Sequence, residues 1–184
     1  MCRYFEQPGR ANTAETVKIA MARAKELGLK KLVIASTTGE TAIEAMKAAK
    51  DSHLDVIVVG HQYGLREPDA NPMPDEVQAK VRQAGGHLLF ATLALSATGR
   101  IPGCDGALVA ASTLRMFCQG VKVCVEMAMM CADAGLVRSD EEIICVAGTG
   151  KGADTACVIQ PANSTFAWDR EKGLRVRELL CRPR

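Results

Sequence analysis

The chain has 184 residues, of which 48% are hydrophobic and 24% charged, with a formal net charge of +2. That length suits a single domain with a layered core, and the dispersed, nearly balanced charge excludes the sustained basic surface that grips nucleic acid. No apolar run approaches the ~20 residues of a membrane span, and the opening MCRYFEQPGR lacks an apolar signal core, so the expectation is one cytoplasmic domain over residues 1–184.

Asn12 and Glu15 have the spacing of a capping box, and Val17, Ala20, Ala24 and Leu27 share one face before Gly28; together they predict a helix over 13–27. KLVIAS follows, an unalternated apolar run of the kind shown by strands covered on both faces. A second helix is expected over 40–50 with Ala42, Ala45, Met46 and Ala49 inward, then a strand in DVIVVG at 55–60. Pro74 opens a third helix, Asp75 and Glu76 complement its dipole, Gly85 and Gly86 end it, and HLLFAT at 87–92 is the third strand. Gly99, Pro102, Gly103 and Gly106 predict a loop, followed by two helices back to back over 106–118 and 121–134 and a fourth strand in EIICVA at 142–147. ACVIQPA reads as a fifth strand, and LRVRELLC as an added edge strand.

This alternation predicts right-handed crossovers and a three-layer α/β/α sandwich with a mostly parallel sheet of five or six strands. The helical excursion before the fourth strand lets the chain return across the sheet, giving the order 3-2-1-4-5 when strands are numbered along the chain. The loops after the first and fourth strands then flank a topological switch point, where open α/β sheets bind ligands.

The two loops are STTGET, which is Ser36, Thr37, Thr38, Gly39, Glu40 and Thr41, and GTGKGADT, which begins Gly148, Thr149, Gly150, Lys151 and Gly152. Free N–H groups at a helix start beside hydroxyl donors suit a phosphate; glycine turns that gather N–H groups beside Lys151 suit one as well. Neither loop is a Walker motif or a dinucleotide fingerprint, since Lys151 precedes Gly152 and a strand follows the second loop. Taken singly, a tight glycine turn with capping threonines explains each as well as a ligand does. His61 and Tyr63, after the second strand, fall at the same edge and join the candidate set.

Other residues have plainer readings. The eight cysteines include Cys124, Cys131, Cys145 and Cys157 inside apolar segments, with no CxxC pair and no histidine at ligand spacing; they read as core thiols rather than as disulfides, nucleophiles or metal ligands. Lys122, Glu126 and Asp133 share a stripe on an otherwise apolar helix, read as a thin solvated strip with an i,i+4 pair; a cleft-lining stripe and an apolar back docked on a second subunit stay open. Trp168 and Phe166 are expected to pack over the sheet edge. Arg170, Lys172, Arg175, Arg177, Arg182 and Arg184 face only Glu171 and Glu178, as in a solvated tail or edge strand.

The segment NTAETVKIAMARAKELGLKKLVIASTTGETAIEAM resembles the C-terminal domain of pyruvate kinase, in which a helix, a strand and a Thr-Ser-Gly type turn lead into a second helix. In the eukaryotic kinases that turn holds the phosphate of a sugar-phosphate effector. PGRANTAET, VVGHQYGLRE, MPDEV, VKVCVEMAMMCADAG and GADTACVIQPAN extend the likeness to a group of stand-alone archaeal and bacterial proteins similar to that domain, members of which bind FMN. The resemblance implies this fold and a phosphorylated small-molecule ligand, FMN first, with no nucleic acid or membrane partner and a possible homo-oligomer. It implies no reaction, since the kinase's catalytic barrel has no counterpart here. Two alternatives stand beside ligand binding: a flavin-dependent oxidoreductase with His61 moving protons, and a non-catalytic metabolite sensor or assembly module.

Overall fold

Four strands are made almost wholly of apolar residues, and their two faces hold two separate cores. In the computed structural model, which describes residues 1–96 and 105–184, the chain runs β1 (Arg3–Phe5), α1 (Thr13–Leu27), β2 (Lys31–Ala35), α2 (Glu40–Ala49), β3 (Asp55–His61), α3 (Asp75–Gln83), β4 (His87–Ala91), α4 (Asp105–Arg115), α5 (Gln119–Asp133), β5 (Ile143–Ala147), β6 (Thr155–Gln160) and β7 (Arg175–Pro183). Leu32, Ile34, Val56, Val58, Ile144 and Val146 point to one side, against Val17 and Ala20 of α1, Ala42 and Ala45 of α2 and Val81 of α3. Their neighbours Val33, Ile57, Val59, Ile143 and Cys145 point to the other, against α5 and Ala111 of α4. This period-two division makes the molecule a three-layer α/β/α sandwich.

Among the described residues the sheet has seven strands in the order β1-β7-β6-β5-β2-β3-β4, so both the count and the order differ from those expected. Two terminal strands account for the difference. The segment RYF is too short to give a periodic signal, yet it pairs parallel with β7, placing Arg3 beside Cys181. β7 is therefore not an edge: it lies between β1 and β6 and buries Cys181 completely. Among the described strands β6 alone runs against the rest, antiparallel to both β5 and β7.

Several basic groups of β7 are held by partners rather than left in a solvated tail. Arg177 pairs with Glu142 at 3.3 Å and Arg182 stacks over Tyr4 at 5.1 Å from the ring centre, while the strand's acid Glu178 is gripped on both oxygens by Arg23 of α1, at 2.8 and 2.5 Å.

Local chemistry ends the helices largely as anticipated. Gly28 is left-handed and its N–H, with that of Leu29, closes the last carbonyls of α1. The capping box does not form: Asn12 lies in a 3-10 turn (Arg10–Asn12) with helical backbone angles, and its side chain turns back to the Gln7 carbonyl. Glu15 instead pairs with Arg3. α4 ends at Arg115, short of the predicted 118, because Met116 and Phe117 form a turn leading directly into α5. The predicted loop residues Gly99, Pro102 and Gly103 lie outside the described residues, and Gly106 is inside α4. Trp168 and Phe166 do not pack over the sheet edge; they are 68% and 53% exposed, because the 3-10 turn Ser164–Phe166 sends Ala167 inward instead.

β2 is the pivot. The chain lays β3 and β4 to one side of it, crosses through α4 and α5, and sets β5 on its other side. The segments leaving β2 and β5 therefore diverge and open a crevice between them.

Candidate functional site

Leaving β2, the Ser36 N–H bonds the Val59 carbonyl at 3.0 Å and the Ser36 hydroxyl accepts the Ala42 N–H at 3.2 Å, so the loop is closed on its own helix. Gly39 carries the turn with φ 92, and a Cβ there would fall 2.1 Å from Val77 Cγ1, so only glycine fits. The first helical bond of α2 runs from the Ile43 N–H to the Gly39 carbonyl. Among the described residues the N–H groups of Glu40 and Thr41 have no acceptor, as expected of a helix start that faces a crevice. Ser36 and Thr41 are buried, leaving Thr37 and Thr38 as the accessible hydroxyls.

The loop after β5 is built around a fully buried acid. Asp154 accepts the Gly9 and Thr149 N–H groups at 2.8 and 3.1 Å on one oxygen and the Thr155 hydroxyl at 2.8 Å on the other. The Ala153 N–H donates to Thr13 Oγ1 at 3.0 Å, which fastens the loop to the start of α1. Gly152, with φ 75, passes so close to this segment that a Cβ would lie 2.5 Å from both Arg10 Cα and Thr13 Oγ1. Sequence reasoning assigned the loop to a ligand and missed the carboxylate that holds it.

Both loops line one cleft of about 470 Å3. Of the predicted residues, Ser36, Thr37, Thr38, Glu40, Thr41, His61, Gly148, Gly150, Lys151 and Gly152 border it. Three do not: Gly39 is turned against Val77, the Thr149 N–H is bound to Asp154, and Tyr63, 51% exposed, stands edge-on to Phe90 with ring centres 5.8 Å apart. Sequence reasoning missed Arg66 and Gln119, together with the apolar wall of Leu93, Val123 and Met127, and held Lys122 in the cleft only as an alternative to a solvated strip. Among the described lining residues, Arg66 and Lys151 are cations with no ion-pair partner, Lys122 is paired with Glu126 behind the wall, and the carboxylate Glu40 is paired with Arg10 at 3.0 Å. Such a balance favours an anion.

Lys122 and Glu126 correct the solvated-strip expectation. They are 2% and 0% exposed and form a buried ion pair. Lys122 Nζ also donates to Ser96 Oγ at 2.7 Å. Glu126 Oε1 accepts the Leu95 N–H at 3.1 Å and both the N–H and hydroxyl of Ser96 at 2.8 Å. The segment after β4 folds over α5 and seals the pair. The signal was present in the sequence: a helix apolar nearly all round has no wet face on which an i,i+4 pair could stand. Asp133, third in that stripe, does reach the surface, where it accepts the Ser164 N–H.

Electrostatics divide the cleft residues. Burial, aided by the charges of Lys122 and Arg66, holds the His61 imidazole below its ordinary value of 6.5, with Glu126 opposing, so it is neutral at pH 7. Burial also depresses the Lys122 ammonium, against the pull of Glu126. His61 Nδ1 is buried with no hydrogen-bond partner among the described residues. Cys124 and Cys145 are buried thiols pushed up by desolvation, the opposite of a nucleophile. No group of His, Cys, Asp and Glu able to hold a metal ion occurs among the described residues.

Comparison with known proteins identifies a family, and solved structures resemble the chain distantly. The family model described as pyruvate kinase, alpha/beta domain, matches residues 14–159. A solved O-ureido-L-serine synthase is 16% identical, with a TM-score of 0.33, over 57% of this chain and 29% of its own.

Proposed function

Because the chain belongs to the pyruvate kinase alpha/beta domain family, we propose that its cleft binds a phosphorylated small molecule, FMN foremost, with the phosphate seated between the start of α2 and the loop after β5. The observation that carries this reading is the convergence of the two glycine loops on one cation-lined crevice. The unbonded N–H groups of Glu40 and Thr41, the hydroxyls of Thr37 and Thr38 and the Lys151 ammonium are the donors for a dianion.

The residues fit FMN in particular by their division into two regions. The polar loops suit the phosphate, while Leu93, Val123 and Met127 offer an apolar wall for a ring system. FMN, when bound, supplies a redox-active ring; the side chains of this cleft bind it, orient it and shelter it from water.

Titration of FMN into the protein, followed by quenching of flavin fluorescence, is expected to give saturable binding that ribose 5-phosphate competes away. Lys151→Ala removes a charged donor to the phosphate and is expected to weaken FMN by about tenfold or more. Failure of both FMN and ribose 5-phosphate to bind the folded protein ends this reading.

A further inference from the structure

Phosphate recognition leaves one part of the cleft without a task. His61 ends β3, and Leu95 and Ser96, which cover Lys122 and Glu126, follow β4; the loop carrying Lys151 follows β5. In the order β5-β2-β3-β4 these two ends are up to three strand spacings apart, roughly 14 Å. That is the span of a mononucleotide-sized ligand lying along the sheet edge.

At the β3–β4 end the polar groups are fixed but incompletely used. Lys122 Nζ has two partners among the described residues, Ser96 Oγ and the Glu126 carboxylate, where an ammonium has three N–H donors. Glu126 is in turn immobilised by two backbone N–H groups. Lys122 borders the cleft although it is almost wholly buried, and His61, which borders the same cleft, has a buried Nδ1 without a partner among the described residues. A buried polar atom without a partner calls for an explanation, and a ligand atom facing both groups supplies one.

We propose that Lys122 and His61 form an inner recognition pole that takes an acceptor oxygen on the end of the ligand remote from its phosphate. Ring carbonyls of a flavin, or of another heteroaromatic phosphate ester, meet that description. The cleft then selects by two ends at once, so a phosphate ester lacking a remote acceptor binds only through the outer loops. This inference rests on the reading of those loops as a phosphate seat.

The test compares three probes, FMN, riboflavin and ribose 5-phosphate, by calorimetry on wild type, Lys151→Ala and the double variant Lys122→Met/Glu126→Gln. The double variant removes both charges together and keeps an acceptor for Leu95 and Ser96; circular dichroism and a urea melt verify that it folds. For FMN and riboflavin the double variant is expected to weaken binding about 10- to 100-fold, the range of one hydrogen bond to a charged donor, while ribose 5-phosphate changes less than about twofold. Lys151→Ala is expected to do the reverse, weakening the two phosphates and sparing riboflavin. Unchanged flavin affinity in the folded double variant, or an equal loss for all three probes, overturns the inner pole and leaves the phosphate seat standing. If ribose 5-phosphate and FMN show no dependence on Lys151 while riboflavin binding depends on Lys122, the phosphate seat fails alone. Absence of binding by all three probes overturns both.

Discussion

Replacing Glu126 by Gln leaves the Lys122 ammonium 2% exposed and without its counter-charge. Breaking a buried pair from one side costs about 3–5 kcal/mol; Ser96 Oγ remains as a partner at 2.7 Å, so the lower end, about 3 kcal/mol, is expected. Lys122→Met is milder, at about 2 kcal/mol, because the Glu126 carboxylate still accepts three hydrogen bonds from Leu95 and Ser96. Additivity would give about 5 kcal/mol for the pair of changes, yet the double variant buries no charge and is expected to lose only about 2, a coupling of about 3 kcal/mol. Urea unfolding followed by far-ultraviolet circular dichroism measures all four corners of the cycle.

The pH dependence of the same cycle provides a second readout. Burial lowers the Lys122 pKa from its ordinary 10.5, so between the folded and unfolded values the unfolded chain holds more protons and stability rises with pH. Losing Glu126 removes an attraction that opposes this shift, and the window of rising stability widens toward neutrality in Glu126→Gln. The double variant, with neither group, loses this slope. A Glu126→Gln protein within about 1 kcal/mol of wild type, or costs that simply add, would refute the burial of the pair.

Gly152→Ala is expected to destabilise by about 1–3 kcal/mol, since its Cβ would press 2.5 Å from Arg10 Cα at a positive φ; Gly150→Ala, with φ 74 but open space, should cost only about 1 kcal/mol in the same thermal melt. Asp154→Ala strips the acceptor from Gly9, Thr149 and Thr155 and is expected to cost about 3 kcal/mol in urea and to weaken ribose 5-phosphate by loosening the loop. His61 has a lowered pKa, so the unfolded chain binds its proton first as pH falls through 6.5; stability therefore drops below that pH, and His61→Gln should flatten the acid limb of a stability profile taken from pH 7.5 to 4.5. Superimposable profiles would show that His61 is as well solvated folded as unfolded.

How far the sequence disclosed this molecule depends on the range of the forces involved. The runs KLVIA, DVIVV and IICVA are apolar because both faces of those strands are covered, and that need is visible residue by residue. The two glycine loops were visible for a similar reason, since Gly39 and Gly152 answer local demands for positive φ. β1 was not legible, because three residues have no period and their pairing depends on a strand at the far end of the chain. The apolar surround of α5 hinted at burial of Lys122 and Glu126, but the groups that seal the pair, Leu95 and Ser96, follow another strand and could not be placed over α5 from the sequence. Asp154 was overlooked because its importance lies in Gly9, Thr149 and Thr155, groups that the fold gathers around it.

The buried pair is the feature that local rules explain least, and its position shows why it matters. An apolar pair of similar volume on α5 would serve the core as well or better, since buried ion pairs seldom gain net stability over hydrophobic isosteres. Elsewhere along α5 the chain follows that rule, with Val121, Cys124, Val125, Met127 and Ala128 all packed inward. The exception falls where the helix borders the crevice opened by the reversal of strand order at β2, a crevice also lined by His61, whose buried Nδ1 has no partner among the described residues. A charge kept at a thermodynamic disadvantage, anchored through Glu126 to the backbone and bordering a cleft, fits the proposed inner pole: with its orientation already fixed, binding of a ligand there would need little further ordering. A weaker core and, under the proposed inner pole, a selective cleft are then two consequences of the same pair of residues.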